Sequence, residues 1–285
     1  MSGDLSELVG RRYGPFHLRT SVEKVEEFVI ATGDDPGRWE FHAPPAFAAV
    51  ALFKSAPAFF EDEDAADYAK TLVHVDQTFR WHRALPQEID TRVIGEVESV
   101  RHRGEMFFVT FTTRTEGDDG TLFLEASSTF LMTEGALPKE KVSVESEPPW
   151  DERAENELPE AAVLPPVGES MPSLAKSASR ADLVRYAGAT RDWNPIHWDH
   201  KAAVAAGLSG VIAHGLLMAA WVTQAAGRAV PGPHPLESMR LRFRQPLRPG
   251  AQAEVSVEVK APNALACVIR SNGIDLVTAD ATLTG

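Results

Sequence analysis

The segment RDWNPIHWDH, residues 191–200, places two aspartates, an asparagine, two histidines and two tryptophans around one proline. Pro195 blocks helix continuation and favours a turn at Asn194. Such a turn folds the chain back on itself, which allows the side chains of Asp192 and His197 to face one water molecule. A carboxylate and an imidazole so placed are suited to general acid–base chemistry. We expect both groups to be catalytic, with Asn194 orienting the Asp192 carboxylate through its side-chain amide.

The aromatic residues around this segment bear on the protonation of the aspartate. An aspartate with its ordinary pKa of about 3.9 is a weak base at neutral pH. Tyr186, Trp193 and Trp198 surround Asp192 in the sequence. Burial against these rings would take water away from the carboxylate and raise its pKa. We therefore expect Asp192 to be desolvated.

A further candidate group follows in AHGLLMAAWVTQAAGRA, residues 213–229. The apolar run predicts a helix that begins directly after His214 and Gly215. The first N–H groups of a helix have no intrahelical acceptor and lie at the positive end of its dipole. The backbone N–H of Gly215 is therefore a candidate donor to a carbonyl oxygen that gains negative charge during a reaction.

The sequence repeats itself around these groups. SVEKVEEFVIATGD (21–34) aligns without a gap with SRADLVRYAGATRD (179–192), and FRWHRALPQEIDTRVIGEV (79–97) aligns with LRFRQPLRPGAQAEVSVEV (241–259). Each half predicts a serine-capped helix followed by alternating strands and turns. A duplicated helix-plus-sheet unit indicates an α+β fold with two similar layers.

The repeat also defines the expected domains. Residues 135–170 are rich in Pro and Glu and have no sustained apolar period, which is typical of a linker extended by prolines and by mutually repelling carboxylates. We expect an N-terminal domain at 1–134 and a C-terminal domain at 171–285. The first half has no Asn-Pro-x-His, and Pro45 stands where the second half has Gly215. We therefore expect only the second half to be catalytic.

A family resemblance emerges from these motifs. YAGATRDWNPIHWDHKAAVAAG (186–207), followed by VIAHGLLMAA (211–220), resembles the signature of the MaoC-like dehydratases, the (R)-specific enoyl-CoA hydratase family. One position departs from the family pattern, because Arg191 stands where glycine usually precedes the aspartate. The resemblance implies an α+β double hotdog fold, in which two antiparallel sheets each wrap around a central helix. The N-terminal half then corresponds to a degenerate hotdog domain.

The resemblance also implies an activity. It is the reversible hydration of trans-2-enoyl thioesters, or the dehydration of (R)-3-hydroxyacyl thioesters, with Asp192 and His197 acting together on one water and the Gly215 amide facing the thioester carbonyl. No metal or redox cofactor is expected, since coenzyme A or phosphopantetheine enters as part of the substrate. The apolar helix after Gly215 suits a fatty acyl chain, and the shortened first half would leave room for a long one.

Several other residues are candidates for substrate binding. Arg240, Arg242 and Arg244 alternate along a predicted strand, so they share one face. They form either a solvated edge or a contact for the phosphates of coenzyme A or for an acidic acyl carrier protein. We add Arg191, which would narrow the pocket or supply a charge, and Trp193.

Other functions stay open. A thioesterase on the same scaffold would need a carboxylate on the central helix, and 216–230 contains none. A non-enzymatic subunit that binds acyl thioesters is kept open by Arg191. His197, His200 and His214, with Asp199, form only a weak metal-binding pattern, and we expect no metal.

Composition limits the possible partners and location. The 285-residue chain carries a net charge of −13 at pH 7, which argues against nucleic acid as a partner. No apolar run approaches the roughly 18–20 residues of a membrane span, and the first residues lack the order of a signal peptide. We expect a cytoplasmic protein whose two halves form a pseudo-dimer, either alone or paired again as a homodimer.

Overall fold

A computed structural model describes residues 5–69, 71–135 and 143–285. Within them lie six α-helices: α1 (Val22–Thr32), α2 (Ala48–Phe60), α3 (Ala66–Ala69), α4 (Arg180–Thr190), α5 (His200–Ala205) and α6 (Gly215–Gly227). The same residues contain twelve strands: β1 (Arg12–Arg19), β2 (His42–Ala43), β3 (Thr71–Trp81), β4 (Leu85–Pro86), β5 (Asp90–Arg103), β6 (Met106–Gly117), β7 (Leu122–Thr133), β8 (Ser170–Lys176), β9 (Leu236–Phe243), β10 (Ala253–Ala261), β11 (Ala264–Ser271) and β12 (Ile274–Leu283).

Ten of these strands form one continuous antiparallel sheet. Their order is β1-β5-β6-β7-β3-β9-β12-β11-β10-β8, so the first five belong to the N-terminal half and the last five to the C-terminal half. β3 and β9 pair at the centre, with Phe79 opposite Met239. The expected α+β arrangement of two similar sheets is confirmed. The two sheets are joined edge to edge because β3 and β9 hydrogen-bond with each other.

Each half of the sheet wraps around one apolar helix. α2 packs against β1, β5, β6 and β7, whereas α6 packs against β8 to β12. α6 is buried from Leu216 to Gly227, and a helix buried on all sides needs an almost wholly apolar sequence. It begins at Gly215 with His214 as N-cap, as the sequence predicted. Among the described residues, no helix combines the length and the apolar character needed to cross a membrane.

The sequence repeat is visible in α1 and α4, which pack against each other. Both helices have a serine N-cap, Ser21 and Ser179, and Ser179 forms a complete capping box with Asp182. Both also end on a left-handed residue, Gly33 with φ 64° and Arg191 with φ 70°. Glycine adopts this conformation without the steric cost that arginine incurs. The backbone therefore gives a reason for the glycine that is usual at this position in the family.

The segment predicted as a linker has no helix or strand between residues 143 and 169. It packs onto the C-terminal half, where Glu147 pairs with the buried Arg180 at 2.9 Å and the Trp150 ring lies over the same guanidinium. At least one of its carboxylates is thus neutralised by an arginine. The domain boundaries themselves stay a prediction, and residues 136–142 lie outside the described part of the chain.

Candidate active site

A sharp change of chain direction after α4 builds the site. The chain leaves the helix through the left-handed Arg191, and the N–H of Asp192 then donates to Oγ1 of Thr190 at 3.2 Å. Pro195 begins a short 3-10 turn that ends at His197. The proline-induced turn predicted from the sequence is therefore present.

This turn brings together three titratable groups. A carboxylate oxygen of Asp192 and one ring nitrogen from each of His197 and His214 all lie within 4.8 Å of one another, and all three residues are buried. Asp199 and His200, the two other residues of the weak metal-binding pattern, do not belong to this group. The Asp199 carboxylate instead accepts hydrogen bonds from the first N–H groups of α5, which His200 begins.

Asp192 has the altered protonation that its surroundings were expected to produce. Burial raises the pKa of Asp192 to about 7, and a hydrogen bond from the backbone of Asn194 acts weakly in the opposite direction. Tyr186 is fully buried beside it. Trp193, by contrast, has 47% of its surface exposed. The desolvation thus comes from the interior of the fold rather than from the tryptophan next to Asp192.

Asn194 does not act in the way that the sequence suggested. Its side-chain oxygen accepts from the N–H of Ile196 at 3.3 Å, and its Nδ2 donates to the carbonyl of Leu72 at 3.4 Å. Only its backbone N–H reaches Asp192, at 3.4 Å from Oδ1. The prediction that the side-chain amide holds the carboxylate is wrong, because that amide caps the 3-10 turn and bonds to β3 of the other half.

His197 is fixed by the chain that leads into α6. Its Nδ1 lies 2.9 Å from the carbonyl oxygen of Ile212, so Nδ1 carries the proton that donates there. Burial lowers the pKa of His197 to about 4. The ring is therefore neutral at pH 7, and its Nε2 retains a free lone pair.

His214, which the sequence analysis did not name as catalytic, stacks on His197. The two ring centroids are 3.8 Å apart and the planes differ by 26°. Its Nε2 lies 3.3 Å from the carbonyl oxygen of Asp192, and burial lowers its pKa well below the usual value. His214 therefore contacts both predicted catalytic residues. The IAHG element was the signal for its place in the site.

The start of α6 offers free amide donors. In the described part of the chain, the N–H groups of Gly215 and Leu216 donate to no acceptor, whereas Met218 already donates to the carbonyl of His214. Gly215 also packs closely, since a Cβ placed on it would lie 3.3 Å from the Phe243 ring. Gly215 therefore has a free N–H to donate, and its lack of a side chain lets the Phe243 ring pack closely against its backbone.

A cavity of about 750 Å³ connects these groups to the other half of the protein. It contains the whole predicted set, Asp192, Asn194, His197 and Gly215, together with Arg191 and Trp193. Its opposite wall is largely apolar and comes mostly from the N-terminal half: Phe53, Pro57, Phe60, Leu72, Val73 and Phe130. Its volume lies within the usual range of small-molecule sites.

His74 is a polar residue of the N-terminal half that the sequence analysis missed. It lies on β3, lines the cavity, and has its ring between those of Phe130 and Phe243, with centroids 4.9 and 5.0 Å away. Burial lowers its pKa to about 4. No motif marked it, because its place depends on how β3 meets the second half.

The three arginines, two on β9 and Arg244 directly after it, do not all line the cavity. Arg244 lines it and donates to Oγ1 of Thr278 at 3.1 Å. Arg242 faces an adjoining depression, where its Nε lies 3.5 Å from Asp76. Arg240 lines a separate depression farther along the strand. Arg242 and Arg244 line the adjoining depression together, whereas Arg240 does not. Contact of these arginines with a carrier phosphate stays a prediction.

The first half has lost the corresponding groups. Asp34, the repeat of Asp192, is buried, and its pKa is raised by burial. Pro44 is the N-cap and Pro45 the first residue of a short 3-10 helix (Pro45–Phe47) that leads into α2, where the second half has His214 and Gly215. Proline has no N–H. In this half the helix therefore offers no amide at the position of Gly215.

These features define a two-halved, hotdog-like protein with an acid–base site in one half. Residues 163–277 match the MaoC like domain. The UPF0336 protein of Cutibacterium acnes is 30% identical over 131 residues, which is 44% of this chain and 91% of that protein. Residues 163–277 thus belong to the MaoC-like family, and the chain is related to the UPF0336 proteins.

Named enzymes and solved structures agree with this assignment. The 3-hydroxybutyryl-CoA dehydratase of Methylorubrum extorquens is 40% identical over 87 residues, and the (R)-specific enoyl-CoA hydratase of Rhodospirillum rubrum is 34% identical over 88. Each match covers 30% of this chain, and they cover 55% and 61% of those enzymes.

Two structures support the fold alone. A MaoC-like dehydratase has a TM-score of 0.81 at 21% identity, covering 98% of this chain and 99% of that one. A Mycobacterium tuberculosis protein described as a double hotdog has a TM-score of 0.68 at 10% identity, covering 96% of each chain. The double hotdog expectation is thereby confirmed.

Proposed function

We propose that this protein catalyses the reversible hydration of trans-2-enoyl thioesters to (R)-3-hydroxyacyl thioesters. The observation that carries the proposal is the shared cavity of Asp192, His197 and the free amide of Gly215. Hydration needs a base for water, an acid for C2 and a donor for the thioester oxygen. These groups supply all three.

The roles that we propose are consistent with the protonation states of both groups. At neutral pH, Nε2 of His197 has a free lone pair and accepts a proton from water while the water oxygen bonds to C3. About half of the Asp192 carboxyl groups are protonated near pH 7, and this form donates a proton to C2. The electron pair of the C2=C3 bond passes through the thioester oxygen, where the Gly215 N–H binds the developing charge. A proton transfer from His197 to Asp192 then restores both groups.

The apolar wall of the N-terminal half supports a long acyl chain as substrate. Phe53, Phe60 and Leu72 face the catalytic groups across the cavity. Burying each additional CH₂ contributes about 0.8 kcal/mol. The loss of catalytic groups from the first half therefore coincides with a wall suited to hold the chain, and Arg242 and Arg244 are candidate contacts for carrier phosphates.

One observation keeps a thioesterase as the second candidate. Glu61 directly follows α2 and lines the same cavity, so a carboxylate does lie near one central helix, although not near α6. Attack on the thioester carbonyl would release free coenzyme A, whereas hydration leaves the thioester intact.

The test uses crotonyl-CoA and a long-chain enoyl-CoA. Loss of the absorbance of the conjugated thioester, without free thiol, supports hydration, and Asp192→Asn should abolish it. Thiol release by the wild-type protein would instead support the thioesterase. Tight binding with neither reaction would support an acyl-thioester-binding subunit and refute the proposed activity.

A further inference from the structure

Three cations belong to three helices that pack together, and one of the three, Arg191, lines the cavity. Lys24 is on α1, Lys54 is on α2, and Arg191 follows the end of α4. α1 and α2 both pack against α4. Arg191 itself lines the cavity, and Lys54 directly follows the lining residue Phe53. The two halves of the chain thus bring positive charge to one region.

Glu27 is the one anion that acts on Lys24, and no ion pair among the described residues neutralises this cluster. Burial, together with the positive charges of Arg191 and Lys54, lowers the pKa of Lys24, while Glu27 acts in the opposite direction. Within the described residues, none of the three cations forms an ion pair, in contrast to Arg19 with Glu88 and others. Like charges held close together repel each other, so the arrangement costs stability unless an anion binds there.

The backbone conformation of Arg191 also indicates a functional role for this residue. Its φ of 70° lies in the left-handed region, and Gly33 occupies the equivalent place in the first half. Arginine here incurs a conformational cost that glycine avoids. Strain that coincides with an unpaired charge at a cavity is typical of a functional residue.

We propose that Lys24, Lys54 and Arg191 bind a phosphate group of the thioester's carrier, which is coenzyme A or protein-borne phosphopantetheine. The inference rests on the proposed function, which makes an acyl thioester the ligand. The guanidinium of Arg191 binds phosphate oxygens through two N–H groups, and the lysines add point charges. Since Arg242 is already near Asp76, the helical cluster has more charge available than that position on β9.

Local positive charge also offsets the long-range repulsion between the protein and an anionic ligand. The chain carries a net charge of −13, and such a field repels a polyanionic ligand such as coenzyme A. Positive charge from Arg191 at the cavity and from Lys24 and Lys54 on the neighbouring helices lowers this barrier. The non-catalytic half thereby contributes Lys24 and Lys54 to substrate binding.

The experiment compares carriers that differ in phosphate content. Calorimetry measures the Kd of butyryl-CoA, butyryl-phosphopantetheine and butyryl-pantetheine, which are saturated and cannot be hydrated. Lys54→Ala and Arg191→Gly should each weaken binding of a phosphate-bearing ligand by about 5- to 10-fold. Binding of butyryl-pantetheine, which has no phosphate, should change far less. Lys260→Ala, which removes a lysine paired with Glu258, serves as the control.

The carriers also distinguish the source of the phosphate. An effect on butyryl-phosphopantetheine locates the phosphate next to the pantetheine arm, which coenzyme A and carrier proteins share. An effect on butyryl-CoA alone locates a phosphate of its nucleotide portion. Equal weakening for all three ligands, or none for any, overturns the proposal. Because no turnover is needed, the result is independent of whether the protein hydrates enoyl thioesters.

Discussion

Arg191 occupies the position that Gly33 holds in the first half of the chain. Both residues end the first helix of their half, with φ angles of 70° and 64°. The duplicated backbone is thus preserved where the side chain is not. In the second half, this strained residue precedes Asp192 and lines the cavity.

Arg191→Gly should increase the free energy of unfolding by about 1 kcal/mol, because glycine has no Cβ to clash in the left-handed conformation. Arg191→Ala removes the same charge and keeps the strain, so it should give no such gain. Chemical denaturation measures both variants. Gly33→Ala should lower the free energy of unfolding by about the same amount. The loss comes from the left-handed backbone conformation, since the new Cβ would make only an ordinary contact with Asn156 at 3.6 Å. Equal stability of the Gly and Ala variants at position 191 would contradict the argument.

The hydration rate should follow a bell-shaped pH profile. With Asp192 as the acid, kcat should fall as pH rises through about 7, where its carboxyl group ionises. It should also fall as pH drops through about 4, where His197 becomes protonated. Asp192→Asn should reduce kcat at least 10²-fold and remove the upper limb. A wild-type rate that rises through pH 7 would show that ionised Asp192 is the active form.

Ionisation of Asp192 should make the folded protein less stable as pH rises. Burial raises the folded-state pKa of Asp192 to about 7, whereas the unfolded value is about 3.9. Its contribution to stability is therefore complete below about pH 4 and is lost as pH rises to about 7. The Asp192→Asn variant has no carboxyl group to ionise at this position. Its free energy of unfolding relative to wild type should therefore increase by up to about 4 kcal/mol between pH 4 and 8. A constant difference across this range would exclude a raised pKa.

Gly215→Pro should test the amide without removing the helix. Proline is well tolerated at the first helical position, and the first half has Pro45 there. Deleting the N–H should lower kcat about 10²- to 10³-fold. Gly215→Ala keeps the N–H and only pushes on Phe243, so its loss should be much smaller. Similar losses in both variants would point to steric blockage rather than to the missing donor.

Phe53→Trp should shorten the space for the acyl chain. The larger ring enters the cavity from α2, and overpacking of about 1–3 kcal/mol corresponds to a roughly 5- to 150-fold increase in KM for a long-chain enoyl-CoA. Crotonyl-CoA should be nearly unaffected. Phe41→Trp is a suitable control because Phe41 is 69% exposed. If turnover of wild type ceases beyond four carbons, a long-chain substrate is ruled out.

Arg244→Ser should raise KM for coenzyme A thioesters, because Arg244 lines the cavity with a charged group. Arg240→Ser is the matched change four residues earlier, on β9, and it should have little effect because Arg240 lies in a separate depression. Steady-state kinetics at low ionic strength would show the difference most clearly, since salt screens exposed charges. Equal changes for both variants would indicate a general field effect of charge.

Much of the local structure could be predicted from spacing alone. The capping box of Ser179 and Asp182, the turn at Pro195 and the start of α6 at Gly215 each depend on residues a few positions apart. The repeat extended these local predictions to the whole fold, because two similar sequences fold into two similar units. The partners of single polar atoms could not be found in this way. Asn194 was assigned to Asp192, but its side chain bonds to Leu72, 122 positions away in sequence.

The sequence by itself determined the repeated helix-and-strand units, the loss of catalytic groups from the first half and the approach of Asp192 to His197. Local propensities and one proline turn are sufficient for these features. Only the tertiary structure decided that β3 joins β9, that His214 stacks on His197 and that His74 and the first-half aromatics line the same cavity as Asp192 and His197. These contacts depend on how two complete units pack together, and no short-range spacing encodes which atoms meet across that interface.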